Sequence, residues 1–313
     1  MTSPTIVVLG EALMDCIAQP DGRLLPLMGG SPYNLARAVA RMGASTAYLP
    51  PFSQDTFGQQ LKAQAAADQV RALSPDSPCP TSLAVVTLTH GQPSYGFYRE
   101  GIADRDSTPS ALLQQLEPLP PGVLHTGSLM LLPPEHEKTL AVVRAAKALG
   151  WVISVDVNLR PAMARDVSAY RQAVMAAVEL ADWVKASDED LHTLGFGEAT
   201  LSNAASIRQQ FAKPANRHVA FTFGAHGAYL WVDGEQASAP APSVPVVDTV
   251  GAGDTFWGCC LADWTQSAAP PNQAVSAKLR LEQTLHRAMH AAAINCTRAG
   301  CQPPTAAELT TAH

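Results

Sequence analysis

The sequence predicts an α/β protein with a doubly wound, mostly parallel sheet flanked by helices and with a small β-sheet attached to it. From residue 123 onward, β-branched apolar segments alternate with amphipathic segments of about 10–15 residues, the pattern of repeated strand–helix units. Between residues 81 and 99, two strand-like segments follow one another without an intervening helix, which is typical of a hairpin. We therefore expect one domain over residues 1–313, with the small sheet contributed by about 12–28 and 80–106.

The N-terminal elements have the clearest boundaries. Residues 5–10 form a β-branched segment closed by glycine, which predicts a buried strand, and an irregular stretch is expected up to Met28. A helix should follow, because Ser31 can cap it, Pro32 suits its first turn and Gly43 can end it. The remaining elements are predicted as strands at 46–49, 81–89, 94–99, 123–128, 151–158, 182–187, 218–224 and 228–234, and as helices at 57–70, 135–149, 167–181 and from about 252 and 280.

The charge and composition argue against several classes of protein. Lys and Arg number 21 against 27 Asp and Glu, and the net charge of −6 does not suit a protein that binds nucleic acid through a basic surface. No stretch approaches the ~18 consecutive apolar residues of a membrane span, and no signal peptide is recognisable, so we expect a cytoplasmic protein with no membrane partner. The six cysteines contain no CxxC pair, so free thiols are expected rather than a zinc ribbon.

The segment VVDTVGAGDTF is the strongest candidate for a catalytic element. Gly251 and Gly253, on either side of Ala252, allow a tight turn into a helix whose first N–H groups form an anion site. Asp254 stands in the first turn of that helix, where its carboxylate would repel a bound phosphate. A carboxylate at this position makes sense if it accepts a proton from a hydroxyl that attacks the phosphorus. The alternative is a glycine turn followed by a helix-capping aspartate.

Common nucleotide-binding and metalloprotease motifs are absent from the sequence. No lysine follows a glycine, so there is no P-loop, and Phe256 occupies the position of the third glycine of a dinucleotide-binding fingerprint. There is no HExxH segment. Polar residues nevertheless follow several predicted strands, which is where ligands bind in open α/β sheets.

One group of polar residues follows the strand predicted at 151–158. Asp156, Asn158 and Arg160 alternate along the chain, so they are expected on one side of an extended strand end. An acid, an amide and a guanidinium there suit phosphate and Mg²⁺-bound water. The alternative is an Asx turn before Pro161.

Two further groups follow later strands, namely Lys185, Ser187 and Asp190, and Thr222, Gly224 and Gly227. Ser187 and Asp190 fit a water shell around Mg²⁺, and they fit a capping box at a helix start equally well. The second group permits close approach of a nucleotide to the backbone, and a plain hairpin turn explains it nearly as well. Both pairs of alternatives stay open from the sequence.

A set of residues typical of polyol binding occurs near the N-terminus. Asp15 follows the first strand, and Asn34 opens the first helix beside Gly30, so an acid, an amide and a bare backbone are available to pair with sugar hydroxyls. A solvated loop acid and a helix-start residue are the alternatives. Arg99 and Arg105 can reach a sugar or an anion, although surface exposure is the commoner role of such residues.

Four segments, in this order, resemble the ribokinase-type carbohydrate kinase family: GGSPYNLARAVARMGA, DVNLRP, TFGAHG and DTVGAGDTF. The resemblance spans the whole chain, and GEALMD, KASDEDL and NCTRAGCQPP are most similar to bacterial fructokinases within that family. It implies a large α/β domain with a small β-sheet lid. It also implies ATP-dependent phosphorylation of a primary hydroxyl of a sugar. We expect a homodimer in which a second subunit covers the hydrophobic face of the lid.

The resemblance implies roles for individual residues. Asp254 is the implied base, with the amides of Gly251, Ala252 and Gly253 as the anion hole. The implied sugar ligands are Asp15, Gly30 and Asn34; Asn158 and Arg160 lie near the transferred phosphate and Mg²⁺; and Lys185, Ser187, Thr222, Gly224, Gly227 and Asn295 border the nucleotide. K⁺ is implied at Asp248 and at carbonyls near Val250, Asn295, Arg298 and Gly300. Ser187 and Asp190 stand where the family commonly has Asn-x-x-Glu, which weakens a magnesium-water role.

These observations favour a fructokinase that converts ATP and D-fructose to ADP and fructose 6-phosphate. A related kinase for 2-keto-3-deoxygluconate, ribose or a nucleoside keeps the same chemistry, and a keto acid would require additional cations such as Arg99 or Arg105. A non-catalytic sugar or nucleotide sensor is the alternative from another class. The presence of Asp254 with its glycines argues against a sensor, which has no need of a base.

Overall fold

The structure is a computed structural model that describes residues 5–19, 21–89, 92–266 and 276–310. Its strands are β1 (Ile6–Val8), β2 (Leu13–Ala18), β3 (Leu24–Gly29), β4 (Thr46–Tyr48), β5 (Val70–Ala72), β6 (Ser82–Thr89), β7 (Gln92–Tyr98), β8 (Val123–Gly127), β9 (Val152–Asp156), β10 (Trp183–Ser187), β11 (His218–Thr222), β12 (Ala228–Val232) and β13 (Glu235–Ala239). Its α-helices are α1 (Ser31–Arg41), α2 (Thr56–Ala67), α3 (Pro109–Leu116), α4 (His136–Ala148), α5 (Val167–Leu180), α6 (Asp188–Leu194), α7 (Ala204–Phe211), α8 (Ala252–Gln266), α9 (Ala277–Cys296) and α10 (Ala306–Thr310).

The main sheet has nine strands in the order β13-β12-β11-β10-β9-β8-β1-β4-β5. All neighbouring pairs from β11 to β5 are parallel, whereas β12 and β13 add an antiparallel edge. The predicted doubly wound, mostly parallel sheet is therefore confirmed. The strand order reverses direction between β1 and β8, and in such sheets the ligand crevice lies beyond the carboxyl ends of the strands at that point.

Helices cover both faces of the main sheet, and the alternation of side chains along β1 shows how. Ile6 and Val8 belong to one core layer, with Trp257 of α8. Val7, between them, belongs to the opposite layer with Val143 of α4. All five side chains are essentially inaccessible to solvent, which is expected for a parallel strand between two layers of helices.

A second sheet has the order β3-β2-β6-β7. It consists of two antiparallel hairpins, β2–β3 and β6–β7, joined by parallel pairing of β2 with β6. The irregular stretch expected up to Met28 is wrong, because Leu24–Gly29 is a strand paired with β2. The hairpin predicted between 81 and 99 is confirmed, and its turn at His90 and Gly91 lies outside the described residues.

Several other boundaries differ from the prediction. The helix expected at 57–70 ends at Ala67, because Asp68 is held by ion pairs with Arg37 and Arg41 and Gln69 has a positive φ of 65°. Strand β5 then begins at Val70. The sequence patterns also missed the short elements β13, α3, α7 and α10.

Two properties concern the molecule as a whole. None of the helices in the described ranges is long and apolar enough to cross a membrane. All six cysteines are free thiols, and four of them, Cys16, Cys259, Cys260 and Cys301, are buried.

Candidate functional site

The turn into α8 has the geometry of an anion site. Gly251 has a φ of +75°, and a Cβ at this position would lie 2.2 Å from the Sγ atom of Cys301, so only glycine fits here. Helix α8 then begins at Ala252. Because the first N–H groups of a helix lack partners within the helix and carry the positive end of its dipole, this turn is suited to bind phosphate.

Asp254 lies in the first turn of α8 and is held by two residues of α1. The Ser31 hydroxyl donates to Oδ1 at 2.7 Å, and the Asn34 amide donates to Oδ2 at 3.1 Å. We expect a catalytic base to be partly exposed in an empty cleft, but Asp254 is only 7% exposed because both helices close over it. Burial raises its pKa, and the hydrogen bond from Ser31, the charge of Lys185 and the Asn34 amide act in the opposite direction.

A buried cation lies under the same turn. The Nζ atom of Lys185 is 3.2 Å from where a Cβ on Gly253 would stand, and it donates to both carboxylate oxygens of Asp156 at 2.9 Å. Burial opposes the charge of Lys185, but the carboxylates of Asp156, Asp190 and Asp254 raise its pKa above the usual range. An ammonium that is paired with the Asp156 carboxylate therefore lies beneath the turn.

Asp156, Asn158 and Arg160 do not share one side of an extended strand end, which corrects the expectation from their spacing. Strand β9 ends at Asp156, and Asn158 has a positive φ of 37°, so the alternation of side chains is interrupted. Asp156 is buried against Lys185, Asn158 is half-buried and Arg160 is exposed. Burial raises the pKa of both Asp254 and Asp15, and the positive charge of Arg160 acts against this rise at each of them.

Ser187 and Asp190 form a capping box, which was one of the two interpretations of these residues from the sequence. Ser187 caps α6 by accepting from the Asp190 N–H, and Asp190 Oδ2 accepts from the Ser187 N–H. Asp190 Oδ1 accepts from the Leu159 N–H. Each oxygen of Asp190 is thus already bound by a backbone donor, and the side chain ties α6 to the segment after β9.

Thr222, Gly224 and Gly227 lie in the connection between the antiparallel strands β11 and β12. The Phe223 N–H donates to the Gly227 carbonyl, which closes a hairpin turn. A Cβ on Gly227 would lie 2.1 Å from the Ala239 carbonyl oxygen, so this glycine is required by the neighbouring chain. Gly224 is exposed, with nothing within 4 Å of its Cβ position, and Thr222 is half-buried.

The expected sugar residues converge near the start of α1. Asp15 lies on β2, and its Oδ2 atom fills the space where a Cβ on Gly29 would stand, at 2.1 Å. Burial raises the pKa of Asp15 to about 6. Within the described residues, the Oδ1 atom of Asn34 is buried without a hydrogen-bond partner, and Gly30 carries no side chain beside it. The structure thus has a buried acceptor that a hydroxyl donor would satisfy.

Arg99 and Arg105 are engaged by protein groups. The Arg99 guanidinium is buried and donates to the Ser82 hydroxyl at 2.8 Å and to the Asp104 carboxylate at 3.3 Å. Arg105 donates to the Arg99 carbonyl and pairs with Glu135 at 3.2 Å. Both arginines connect segments of the protein, and neither presents an unpaired guanidinium to a ligand.

The expected cation residues join two loops that flank the α8 turn. The Asp248 carboxylate accepts from the N–H groups of Val250 and Gly300 at 3.0 and 2.8 Å. The buried Asn295 side chain donates to the Val250 carbonyl at 2.8 Å and accepts from the Gln302 N–H at 2.9 Å. Arg298 pairs with Glu308. Asp248 lies in a segment without regular secondary structure, since the chain from residue 240 to 250 forms neither a helix nor a strand.

Ser31 is the site residue that sequence reasoning missed. The pattern favours Ser31 as the helix cap, but Gly30 occupies the cap position and the Ser31 side chain contacts Asp254 instead. The available signal was the spacing of Ser31 and Asn34, which are three residues apart and share a helix face.

Comparison with known proteins agrees with this geometry. The chain matches the description "pfkB family carbohydrate kinase" over residues 3–308. It is 33% identical over 288 residues to a fructokinase of Klebsiella pneumoniae, covering 89% of this chain and 91% of the relative. The crystal structure of a fructokinase from Xylella fastidiosa with bound ATP superposes with a TM-score of 0.84 and 27% identity, covering 98% of this chain and 97% of the other.

A further solved structure shows small molecules on this fold. It is a double mutant of a fructokinase from Vibrio cholerae O395 in a form with bound fructose, ADP and potassium ion, with 25% identity, a TM-score of 0.77 and coverage of 99% of each chain. The family found by resemblance in the sequence is confirmed by these matches. The chain belongs to the pfkB family of carbohydrate kinases, enzymes that transfer a phosphoryl group to a sugar hydroxyl.

Proposed function

We propose that the protein phosphorylates D-fructose with ATP and releases fructose 6-phosphate and ADP. The observation that carries this proposal is the position of the Asp254 carboxylate, in the first turn of α8 and hydrogen-bonded to Asn34. One site thereby contains a proton acceptor, an anion-binding turn with the Lys185 ammonium beneath it, and an amide that can form hydrogen bonds with sugar hydroxyls. The relatives from Klebsiella, Xylella and Vibrio, all named fructokinases, support fructose as the acceptor.

In the proposed reaction, the 6-hydroxyl of the sugar attacks the γ-phosphorus of ATP. Asp254 accepts the hydroxyl proton, the new O–P bond forms, and the bond to the ADP oxygen breaks. The developing negative charge is proposed to be stabilised by N–H groups of the turn at Gly251 to Gly253 and by the ammonium of Lys185, which lies 3.2 Å from the Cβ position of Gly253. Protonated Asp254 returns its proton to solvent after the products leave.

The sugar is proposed to bind between β2 and the start of α1. Its hydroxyls would donate to the unpaired Oδ1 atom of Asn34 and to the carboxylate of Asp15, beside the bare backbone of Gly30. Arg99 and Arg105 are already paired with Asp104 and Glu135, so they do not offer a cation to a keto acid. This favours a neutral sugar over 2-keto-3-deoxygluconate, while ribose and nucleosides remain for experiment to separate.

ATP is proposed to enter as its Mg²⁺ complex, with the nucleotide bordered by Ser187, Thr222, Gly224 and Gly227, and with Asn158 and Arg160 near the phosphates. Mg²⁺ neutralises phosphate charge in such complexes. The described residues contain no cluster of three or more His, Cys, Asp or Glu side chains that would hold a metal ion. Asp190 keeps one free lone pair on each oxygen, so it fits contact through water rather than direct ligation.

A monovalent cation, K⁺, is proposed between the loops that contain Asp248 and Gly300. The two loops offer oxygen atoms of the kind that such an ion binds, namely the Asp248 carboxylate and the backbone carbonyls of Val250, Arg298 and Gly300. In the structure, the partners of the Asp248 carboxylate are the N–H groups of Val250 and Gly300. A cation supplies positive charge beneath the anion turn. The hydrogen bonds from Val250 and Gly300 to Asp248 hold the carboxylate in place.

A homodimer through the second sheet is proposed as the assembly. In that sheet, Leu24 and Leu25 are each about half exposed to solvent, and Tyr98 is 65% exposed. Leu24 and Leu25 lie on β3 and Tyr98 lies on β7, which are the two edge strands of this sheet. Exposed large apolar side chains favour a surface that a second copy covers. The molar mass of the protein in solution tests this part of the proposal.

The experiment that tests the function is a panel of fructose, ribose, 2-keto-3-deoxygluconate and a nucleoside with Mg-ATP, in which ADP release is measured. Fructose should give the highest kcat/KM. The assay is run at constant ionic strength in K⁺, Na⁺ and tetramethylammonium, and K⁺ should give the highest rate. Equal rates in the three salts would contradict the cation site alone.

The matched variant in this experiment is Asp254→Ala. Loss of a general base should lower kcat by roughly 10²–10⁴-fold, while the melting temperature stays within a few degrees. A variant that keeps more than about a tenth of the wild-type kcat would contradict the base assignment. A preference for another sugar would contradict fructose but leave the kinase chemistry intact.

A further inference from the structure

Ser31 is joined to the proposed base in an arrangement that helix formation does not require. Its hydroxyl donates to Asp254 Oδ1 at 2.7 Å, across 223 positions in the sequence. A serine at a helix start commonly caps its own helix, but the cap residue of α1 is Gly30, and no side-chain hydrogen bond caps this helix. The hydroxyl therefore serves a contact between two helices.

The contact fixes the orientation of the carboxylate. Ser31 and Asn34 lie one helical turn apart on α1, and each donates to a different oxygen of Asp254. Two donors on two oxygens set the plane of the carboxylate relative to α1, and each oxygen retains a lone pair for the substrate hydroxyl. Rotation of the Asp254 side chain would break both hydrogen bonds.

The contact also favours the charge state that a base needs. Asp254 is buried, which raises its pKa and favours the protonated form, and a protonated carboxyl accepts no proton from a hydroxyl. The charged and titratable groups that act on it from neighbouring segments are Lys185, Arg160, Asp156 and Cys301. Among the groups that lower the pKa of Asp254, the Ser31 hydroxyl has the largest effect.

A hydroxyl has a property at this position that the Asn34 amide lacks. It can rotate, so it donates to the carboxylate before proton transfer and accepts from the carboxylic acid afterwards. The Asn34 nitrogen can only donate. Ser31 is thus compatible with both protonation states of Asp254, and in the described structure Asp254 is its only side-chain hydrogen-bond partner.

We propose that Ser31 is a positioning residue for phosphoryl transfer, whose hydroxyl keeps the Asp254 carboxylate oriented and ionised for proton abstraction. The inference rests on the proposed role of Asp254 as the base. It adds a residue whose effect is exerted through Asp254, without contact to the sugar or to ATP.

The test compares Ser31→Ala and Ser31→Thr with the wild type, using the best sugar from the panel and kcat measured from pH 5 to 9. In Ser31→Ala, the acidic limb of the kcat profile should move to higher pH by about one unit, because the buried carboxylate loses its main neutral donor. At pH values well below the acidic limb this corresponds to a loss of about tenfold, which becomes smaller as the pH rises through the limb. The KM for the sugar should change less than about twofold, since binding groups are untouched.

Ser31→Thr keeps the hydroxyl and should restore the wild-type acidic limb. Ser276→Ala is the matched control: Ser276 caps α9 through the Leu279 N–H far from the site, and its loss should leave the profile unchanged. If Ser31→Ala does not fold, infrared titration of the Asp254 carboxyl in Ser31→Cys, which has a weaker donor, should show the same upward shift in pKa.

An acidic limb identical to the wild type in Ser31→Ala, or a loss of kcat that is equal at every pH, would overturn the inference. A Thr variant as impaired as the Ala variant would do the same. Failure of the base assignment itself is distinguishable, because Asp254→Ala would then retain activity whatever residue stands at position 31.

Discussion

Asp15 is the carboxylate that we propose to bind the sugar. Gly29 leaves room for its Oδ2 atom, and burial raises its pKa to about 6, so its charge is easily lost near neutral pH. Asp15→Ala should raise the KM for fructose by roughly 5- to 150-fold, because each sugar hydroxyl left unpaired costs about 1–3 kcal/mol. The KM for ATP, measured at saturating sugar, should change little.

The pH dependence of sugar binding follows from the direction of that pKa shift. The Asp15 carboxyl is protonated below about pH 6 and then accepts fewer hydroxyl hydrogen bonds, so the KM for fructose should rise as the pH falls through this value. Asp15→Asn keeps the shape but does not titrate, and its KM should be flat in this range. An unchanged fructose KM in Asp15→Ala would remove Asp15 from the site.

At the scale of single residues, the sequence could predict what lies inside a motif but not what each side chain contacts. Asp254 and Asn34 were both identified, and in the structure the Nδ2 atom of Asn34 lies 3.1 Å from the Oδ2 atom of Asp254. Their partner Ser31 was assigned to the local helix start, because its hydrogen bond crosses between α1 and α8. Arg99 was considered as a ligand-binding or a surface residue, since the sequence gives no sign of its buried pairing with Asp104.

The turn into α8 is the element in which backbone conformation matters most. At Gly251, alanine would combine a φ of +75° with a Cβ 2.2 Å from the Cys301 Sγ atom, so Gly251→Ala must displace the loop that contains Cys301. We expect a loss of about 1–3 kcal/mol in the free energy of unfolding and a lower kcat, because the anion-site N–H groups move. Chemical denaturation and kinetics with Mg-ATP measure the two effects.

Gly234→Ala is the matched control for this element. Gly234 also has a positive φ, +100°, but nothing lies within 4 Å of its Cβ position. The free energy of unfolding of Gly234→Ala should therefore fall by only about 1 kcal/mol, the strain of a left-handed residue, and kcat and KM should be unchanged. Kinetics of Gly251→Ala equal to those of Gly234→Ala would indicate that the turn is not part of the site.

At the scale of elements, the sequence predicted long periodic segments and missed short ones. Helices α4 and α5 match their predicted ranges to within one residue at each end, because amphipathic periodicity extends over three or more turns. Strand β5 has only three residues, and the first of them, Val70, was included in the preceding helix. The segment Leu24–Gly29 was missed as a strand because it contains Pro26 and two glycines follow each other at its end.

At the scale of the whole molecule, the main sheet and the second sheet are joined at a buried ionic cluster. Glu11 lies where the chain passes from β1 to β2, and Arg99 and Asp104 lie where it returns after β7. Arg99 attracts the Glu11 carboxylate and is paired with Asp104. No sequence pattern indicated this cluster, because its members are separated by about 90 residues and Glu11 stands in an apolar segment.

Glu11 is the most unusual member of this cluster. It is 1% exposed, and in the described part of the chain its Oε2 atom has no hydrogen-bond partner. Burial raises its pKa from 4.5 to about 7, while the charge of Arg99 and a hydrogen bond from Ser128 act in the opposite direction and Asp104 adds to the rise. The folded protein therefore holds a proton on Glu11 that the unfolded chain releases above about pH 4.5.

This difference in proton binding makes stability depend on pH in a predictable direction. Because the folded state binds the proton more tightly, the contribution of Glu11 to stability is lost as the pH rises from about 4.5 to about 7. Glu11→Gln cannot titrate, so its free energy of unfolding relative to wild type should increase across this window by up to roughly 3 kcal/mol. Denaturant unfolding at pH 5, 6, 7 and 8 measures the difference, in which the titration of all other groups cancels.

Glu117→Gln, at an exposed glutamate, should give a difference that is flat with pH. A flat difference for Glu11→Gln as well would mean that Glu11 is ionised in the folded protein, and that Arg99 then neutralises two carboxylates at the junction of the sheets.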